Sequence, residues 1–245
     1  MKPMLGSLIL IILRAFVPNC LITDNALIAF EVFHSMKRRG EGRDGTVALK
    51  LDMSKAYDRV EWSFLECVMQ KLGLLSSWIA RIMSCLSSVS SSFKYNGSIS
   101  GSLTPSRGLR QGDPISPYLF LFCADAFSTL LSKAAEDHLI HGVRTIVFYK
   151  ATLQECSKIA DIISTYERAS GQSVNLSKTE VAFSKCVPIN QTLEIVEKLG
   201  VREVDRHEKY LGLPTIIGRS KKANFCRIKG AHMEEVGGME REVAI

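Results

Sequence analysis

Residues 47–52 alternate, with Val47, Leu49 and Leu51 on one side of a period-two pattern and Ala48, Lys50 and Asp52 on the other. That pattern predicts a strand with one buried face, and it places a carboxylate at the C-terminal end of the strand. A lone strand is not stable, so the flanking segments must supply both partners and a cover. Those segments carry helical spacing. Leu27, Ile28, Val32 and Phe33 predict a helix within residues 24–36, and Val60, Phe64, Leu65, Val68, Met69 and Leu72 predict another. Asp58 and Glu61 read as a capping pair that opens the second helix, and Gly73 stops it.

Further along, a helix is expected over 78–86 and a hairpin over 93–99, where Asn96-Gly97 supplies the strongest short turn signal. Ser116-Pro117 fits an N-cap followed by proline at the first helical position, opening a largely buried helix over 118–137. Thr152 with Glu155 forms a further capping box, before a helix that carries Ile159, Ile162 and Ile163 and ends at Gly171. Val174 and Leu176 suggest a strand, Leu193, Val196 and Leu199 a helix, and residues 210–213 a short strand. Strands and helices mix without a regular βαβ rhythm, so the fold class is α+β.

Composition excludes more than it selects. The 245 residues can form one large domain or two small ones, and 46% apolar with 23% charged residues is ordinary for a soluble globular chain. A net charge of +6 suits a phosphate-binding surface without requiring one. Seven cysteines at 20, 67, 85, 123, 156, 186 and 226 are odd in number and include no C-x-x-C. That argues against a disulfide framework or structural zinc, and for small hydrophobes in a reducing compartment. The apolar run 8–13 is cut by Arg14 and is too short to span a bilayer, so it reads as a buried helix rather than a secretion signal. The stretch Lys37, Arg38, Arg39 and Arg43, broken by Gly40, Gly42 and Gly45, is a template-backbone contact or a solvated loop. No cluster of exposed aromatics for base stacking stands out, and the basic residues are dispersed.

Four blocks carry a resemblance. Leu51-Asp52-Met53-Ser54-Lys55-Ala56-Tyr57-Asp58 resembles motif A of reverse transcriptases, and Gly108-Leu109-Arg110-Gln111-Gly112-Asp113-Pro114-Ile115-Ser116-Pro117 resembles motif B. Ser170-Gly171-Gln172-Ser173-Val174-Asn175-Leu176-Ser177-Lys178-Thr179-Glu180 resembles motif D, and Lys209-Tyr210-Leu211-Gly212-Leu213-Pro214 the primer-grip segment around motif E. Residues 15–26 are similar to the fingers of plant LINE elements. The blocks stand in family order over nearly the whole chain, which is therefore identified as a member of the LINE-type (non-LTR retrotransposon) reverse transcriptases.

The resemblance implies a right-hand polymerase palm, with an antiparallel sheet packed on helices. Residues 1–46 would be partial fingers, 47–206 the palm, and 207–245 the primer grip and the start of the thumb. It implies an RNA template, a DNA primer, deoxynucleotides and Mg2+, since nucleotidyl transfer uses two hard cations held by carboxylates. On that reading Asp52 is the catalytic metal ligand. Met53 and Tyr57 line the nucleotide site, with Tyr57 closing over the sugar, and Gln111 contacts the nucleotide or the template. Arg110, Gly112, Tyr210 and Gly212 meet template and primer, and Lys178 stands near the triphosphate as a proton donor. Read without the resemblance, Asp58 is a helix cap and Lys178 is equally a solvated lysine. Cys20 stands where relatives carry a basic residue.

One block is missing. The family's motif C is a hairpin whose turn carries Asp-Asp, and it belongs between the motif B helix and the helix opened by Thr152. Gly142-Val143-Arg144-Thr145-Ile146-Val147-Phe148-Tyr149-Lys150 fills that interval without an acid, and the chain contains no Asp-Asp pair. Glu136-Asp137 is the nearest acidic doublet and belongs to the end of the preceding helix. A hairpin needs about 12 residues, so the interval holds one strand at most. The expectation is a pseudoenzyme without useful polymerase activity, its palm loosened by loss of central strands. The alternatives are a non-catalytic RNA-binding remnant, or an unstable product of a decayed or mis-spliced gene. The chain reads as beginning partway through the fingers, without endonuclease, most of the thumb or RNase H. If made, it would be cytosolic or nuclear and not secreted.

Overall fold

The computed structural model describes residues 33, 34, 36, 45–141, 147–205, 209, 210, 213 and 214. The period-two segment forms β1 (Thr46–Lys50), the inner strand of a four-stranded sheet. Its partners are β4 (Val147–Lys150) on one side and β5 (Glu180–Phe183) on the other, both antiparallel, and β6 (Arg202–Glu203) joins β5 in parallel. The sheet is thus antiparallel except at one edge pair.

β1 is buried on both faces rather than one: Val47, Ala48 and Leu49 are all within 1% of complete burial. Val47 and Leu49 join a core with Tyr149, Ile159, Ile162, Val181 and Ile195. The other face is lined in register by Phe148, Ala48 and Ala182, and the Phe33 ring meets Phe148 edge-on at 5.6 Å. A small residue at 48 is what lets a second layer sit there, and alternation alone could not reveal that cover.

Helices α1 (Trp62–Lys71) and α2 (Ser76–Ser87) build a second core with the N-terminal half of α3 (Ser116–Glu136), around Leu65, Met69, Ile82, Leu119 and Phe122. α3 is long and apolar enough to cross a membrane by length and composition, yet its Leu119, Phe122, Leu131 and Ala134 serve these two cores. α4 (Leu153–Ser170) and α5 (Ile189–Leu199) cover the sheet.

Local signals held in part. Thr152 Oγ1 accepts the Glu155 N–H at 3.3 Å, and Gly171 ends α4 with φ +73. β2 (Ser91–Tyr95) and β3 (Ser98–Leu103) form the hairpin over Asn96-Gly97, both with positive φ. Asp58 does not cap α1. The helix starts at Trp62 with Glu61 as N-cap and no side-chain cap, and the Glu61 N–H that an Asp58 cap would receive donates instead to the Ser170 carbonyl at 2.9 Å. Ser116 lies inside the first turn of α3, its buried hydroxyl unpartnered, while Asp113 Oδ1 receives the Ile115 N–H at 3.0 Å. No strand forms across Val174 and Leu176. Val174 makes a single bridge to Met53, and the Asn175 carbonyl turns the chain by accepting the Lys178 and Thr179 N–H groups. Residues 210–213 are not one strand: β7 (Lys209–Tyr210) pairs antiparallel with β8 (Leu213–Pro214). The expected helix at 8–13 and the basic stretch from Lys37 to Arg43 lie outside the described residues.

Two further expectations change. β4 is an edge strand, so β1 keeps a partner on each side, and the sheet does not lack its centre as expected. Exposed aromatics do gather, at Phe93 and Tyr95.

Two tests follow. Gly171 and Gly112 both have left-handed φ, but a Cβ at Gly171 would stand 2.6 Å from the Arg59 carbonyl oxygen, whereas one at Gly112 meets nothing within 4 Å. Gly112→Ala should therefore cost about 1 kcal/mol and Gly171→Ala clearly more, measured by denaturant unfolding. Among the described thiols, Cys67 and Cys85 are exposed while Cys123 and Cys156 are buried, and burial pushes the Cys123 thiol up to about 12. Mass-spectrometric mapping after thiol labelling at neutral pH should find Cys67 and Cys85 modified and Cys123 and Cys156 intact until the chain unfolds.

Candidate active site

The motif A turn leaves β1 at Asp52 and is fastened to the motif D loop before it can diverge. The Asp52 N–H donates to Thr179 Oγ1 at 3.2 Å, and the Asp52 carbonyl accepts the Asn175 N–H at 2.7 Å. Next, Met53 bridges Val174, and the Ser54 N–H donates to the Ser173 carbonyl at 2.8 Å. Asp52 is half-buried, and both polar groups of its own peptide units are satisfied by this loop, so its side chain is held in place by backbone rather than by a partner. Beside it, Lys50 Nζ and Glu180 Oε2 form a cross-strand pair at 3.5 Å.

Motif B docks on the far end of the same turn. Gly108, at φ +87, brings its backbone so close that an added Cβ would lie 2.8 Å from the Asp58 carbonyl oxygen. Its own carbonyl accepts the Trp62 Nε1–H at 2.8 Å. The Tyr57 ring stacks on Phe120 of α3 at 5.0 Å and 12°, and burial raises the Tyr57 phenol above its ordinary value. Arg110, Gln111 and Gly112 follow the buried Leu109 as an exposed loop, with Gly112 at φ +83.

A buried relay completes the frame. The Tyr166 hydroxyl bonds to Gln172 Oε1 and donates or shares toward the Cys123 carbonyl at 3.1 Å, and Gln172 Nε2 donates to the Ala56 carbonyl at 2.8 Å. Motif A, the motif B helix and motif D thus meet through one tyrosine and one glutamine, and burial raises the Tyr166 phenol strongly. Glu167 adds to the frame by accepting the Val174 N–H at 2.6 Å.

Of the residues singled out by sequence, Asp52, Met53 and Tyr57 lie on this turn. Arg110, Gln111 and Gly112 lie on the loop docked to it, and exposed Lys178 immediately precedes the Thr179 that holds Asp52. Tyr210 lies in the β7–β8 pair, and Gly212 falls outside the described residues. Sequence reasoning missed Thr179, Tyr166 and Gln172. Thr179 and Gln172 stood inside the motif D block, but nothing in their spacing marks a hydroxyl or amide as a backbone clamp.

Among the described residues, the donors do not make up a two-metal site. Among the described residues no three His, Cys, Asp or Glu side chains gather in a metal-holding group. Asp113 Oδ1 is engaged by Ile115, and Glu180 faces Lys50. β4 runs antiparallel to β1 with Val147 opposite Leu49, so the chain enters β4 at the Asp52 end of the sheet. The residues that lead into it, Gly142-Val143-Arg144-Thr145-Ile146, bring no carboxylate.

Where the interval closes, Glu155 acts as a staple. Its buried carboxylate accepts the His141 N–H and the Lys150 N–H, each at 3.0 Å, and contacts His141 Nδ1 at 2.7 Å. One side chain therefore grips both sides of the segment that joins α3 to β4.

Residues 11–215 match the family profile of reverse transcriptase (RNA-dependent DNA polymerase). An uncharacterized mitochondrial protein of Arabidopsis thaliana is 52% identical over 52 residues, 21% of this chain and 43% of that protein. The Transposon TX1 uncharacterized 149 kDa protein of Xenopus laevis is 27% identical over 153 residues, 62% of this chain and 12% of its own length. The retrovirus-related Pol polyprotein from type-2 retrotransposable element R2DM of Drosophila melanogaster is 31% identical over 113 residues, 46% of this chain and 10% of its own. The chain thus spans less than half the length of these relatives. A solved structure of apo telomerase from Candida tropicalis, truncated from its C-terminal domain, is similar with a TM-score of 0.49 and 18% identity, covering 69% of this chain and 36% of that one. The family match over most of the sequence carries the polymerase palm fold with it, and this chain belongs to the reverse transcriptase (RNA-dependent DNA polymerase) family, in its non-LTR retrotransposon branch.

Proposed function

We propose that this chain is a reverse transcriptase domain fragment that keeps the palm scaffold of an RNA-directed DNA polymerase but does not polymerise. The observation that carries the reading is the Asp52 end of the sheet, where β4 enters without an acid before it. Asp52 is the motif A ligand on this reading, with Mg2+ as the family's metal. Two-metal catalysis needs several carboxylates to hold two ions about 4 Å apart, and one cannot do so. Groups that act as a unit fail together, so the loss removes on the order of 10⁴-fold or more of the rate.

The remaining assignments follow the family. Tyr57 and Met53 would border the nucleotide, Gln111 the nucleotide or template, and Lys178 the triphosphate. Arg110 and Gly112, with Tyr210 and Gly212, would line the path of RNA template and DNA primer. The fold supports the nucleotide-side set, because the turn with Tyr57 and the loop with Gln111 are locked by the Leu109–Tyr57 and Gly108–Val60 backbone bonds. The fingers, palm and primer-grip limits at residues 46 and 206 remain part of this proposal.

Purified chain with an annealed RNA template and DNA primer, Mg2+ and deoxynucleotides should yield no extension. Magnesium-dependent synthesis that disappears in Asp52→Ala would overturn the reading. Sequencing the transcript and its locus across the codons for 144–151 separates two origins: an in-frame Asp-Asp hairpin in the DNA means mis-splicing, and its absence means a decayed copy.

The relay yields a separate expectation. Tyr149 and Tyr166 are both buried phenols, but the Tyr149 hydroxyl meets only the weakly bonding Cys156 thiol, whereas that of Tyr166 joins Gln172 to the Cys123 carbonyl. Tyr149→Phe should leave the melting temperature unchanged or higher. Tyr166→Phe should cost roughly 1–3 kcal/mol by unfolding, because it orphans Gln172 beneath motif A.

A further inference from the structure

The β2–β3 hairpin stands outside both apolar cores, and every residue of its two strands is exposed. It nevertheless carries Phe93 at 65% and Tyr95 at 75% exposure, with Ile99 and Leu103 also exposed. Burial therefore does not account for the aromatics. The register places Phe93 opposite Ser100 and Tyr95 opposite Ser98. Directly opposed residues share a face, so both rings lie on one face among small hydroxyls, spaced about 7 Å apart along the strand. Gly101 keeps the neighbouring strand low beside Phe93, where an added Cβ would meet the ring at 3.6 Å.

The charge around this ribbon is one-sided. Between Cys67 and Gly112 there is no Asp or Glu, while Lys71, Arg81, Lys94, Arg107 and Arg110 are all basic. Arg107 pairs with Glu61 at 3.4 Å and Arg81 lies over the Trp78 ring at 6.0 Å, whereas Lys94 and Arg110 are exposed within the hairpin and just beyond it. Open aromatic faces at the pitch of a stretched strand, serine hydroxyls and unopposed positive charge together match an unpaired polynucleotide. The serines at 91, 92, 98, 100 and 102 make the ribbon too polar for a lipid interior.

We propose that the β2–β3 hairpin is a stacking platform for single-stranded nucleic acid, with Phe93 and Tyr95 each taking one unpaired base and Lys94 and Arg110 supplying the cationic surround. The two rings stand on the hairpin strands and not on the Asp52 turn, and stacking on them does not depend on whether the chain polymerises. Stacking is indifferent to base identity, so binding should be tolerant of sequence, and it should weaken with salt.

The test is fluorescence anisotropy of the full chain with a labelled, unstructured oligouridine of about 15 nucleotides, the scale of one such site. Phe93→Ala and Tyr95→Ala should each weaken binding roughly 10- to 100-fold. Phe93→Trp with Tyr95→Trp should restore it. Ile99→Ala with Leu103→Ala removes comparable apolar surface from the same hairpin without a π face and should leave affinity unchanged. Because all four hairpin positions are exposed, circular dichroism and melting temperature should not move. Alanine variants that bind like the original chain would overturn the proposal, as would equal losses from Ile99→Ala with Leu103→Ala. So would an original chain that binds no oligouridine but sediments as a dimer that the alanine variants dissociate, since the face would then join two copies of the chain.

Discussion

The backbone of Asp52 is the point on which the rest of the molecule is hung. Its N–H and its carbonyl are both spent on the loop 175–179, so β1 cannot end without fixing where motif D lies. Further along the turn, the Tyr57 and Val60 carbonyls fix motif B through Leu109 and Gly108, and the Glu61 N–H donates to the Ser170 carbonyl at 2.9 Å. Two segments distant in sequence, 108–109 and 170–179, therefore converge on one turn. Gly108 and Gly171 are needed there because any side chain would collide with the backbone of Asp58 or Arg59. Buried backbone groups must be paired, and here the pairing itself builds the architecture of the site.

This arrangement shows what holds the sheet together beside the Asp52 turn. β1 sits inside the sheet with an antiparallel partner on each side, and β4 forms the edge next to it. Tyr149 and Val147 remain in the core, and Glu155 draws the His141 and Lys150 backbones to one carboxylate. The edge strands β4 and β6, four and two residues long, also offer little template for unwanted pairing. The scaffold rests on backbone pairing and two apolar cores.

Much of this was legible in the chain. The strand ending near Asp52, the Asn96-Gly97 hairpin, the Thr152 box and the glycine stop at 171 are local signals, and local energetics decide them. What could not be read depended on partners distant in sequence. Asp58 looks like a cap, but the Glu61 N–H it would receive is taken by the Ser170 carbonyl, far along the chain. Val174 and Leu176 have the residue types of a strand, yet Asn175 turns the chain and the strand forms only from Glu180 onward. Ala48 looks solvent-facing by alternation and is buried because a second layer covers it. The catalytic blocks were recognisable as blocks, whereas the threonine, tyrosine and glutamine that hold them in place were not.

The central claim is that Asp52 stands without the carboxylates it would need to hold two ions. Titrating the chain with Mn2+ as a paramagnetic substitute for Mg2+, and counting bound ions by electron paramagnetic resonance, tests it directly. The account expects no spin-coupled pair of ions and no difference between the chain and Asp52→Ala. Two ions bound per chain and lost together in Asp52→Ala would show that a complete site exists, and would contradict it.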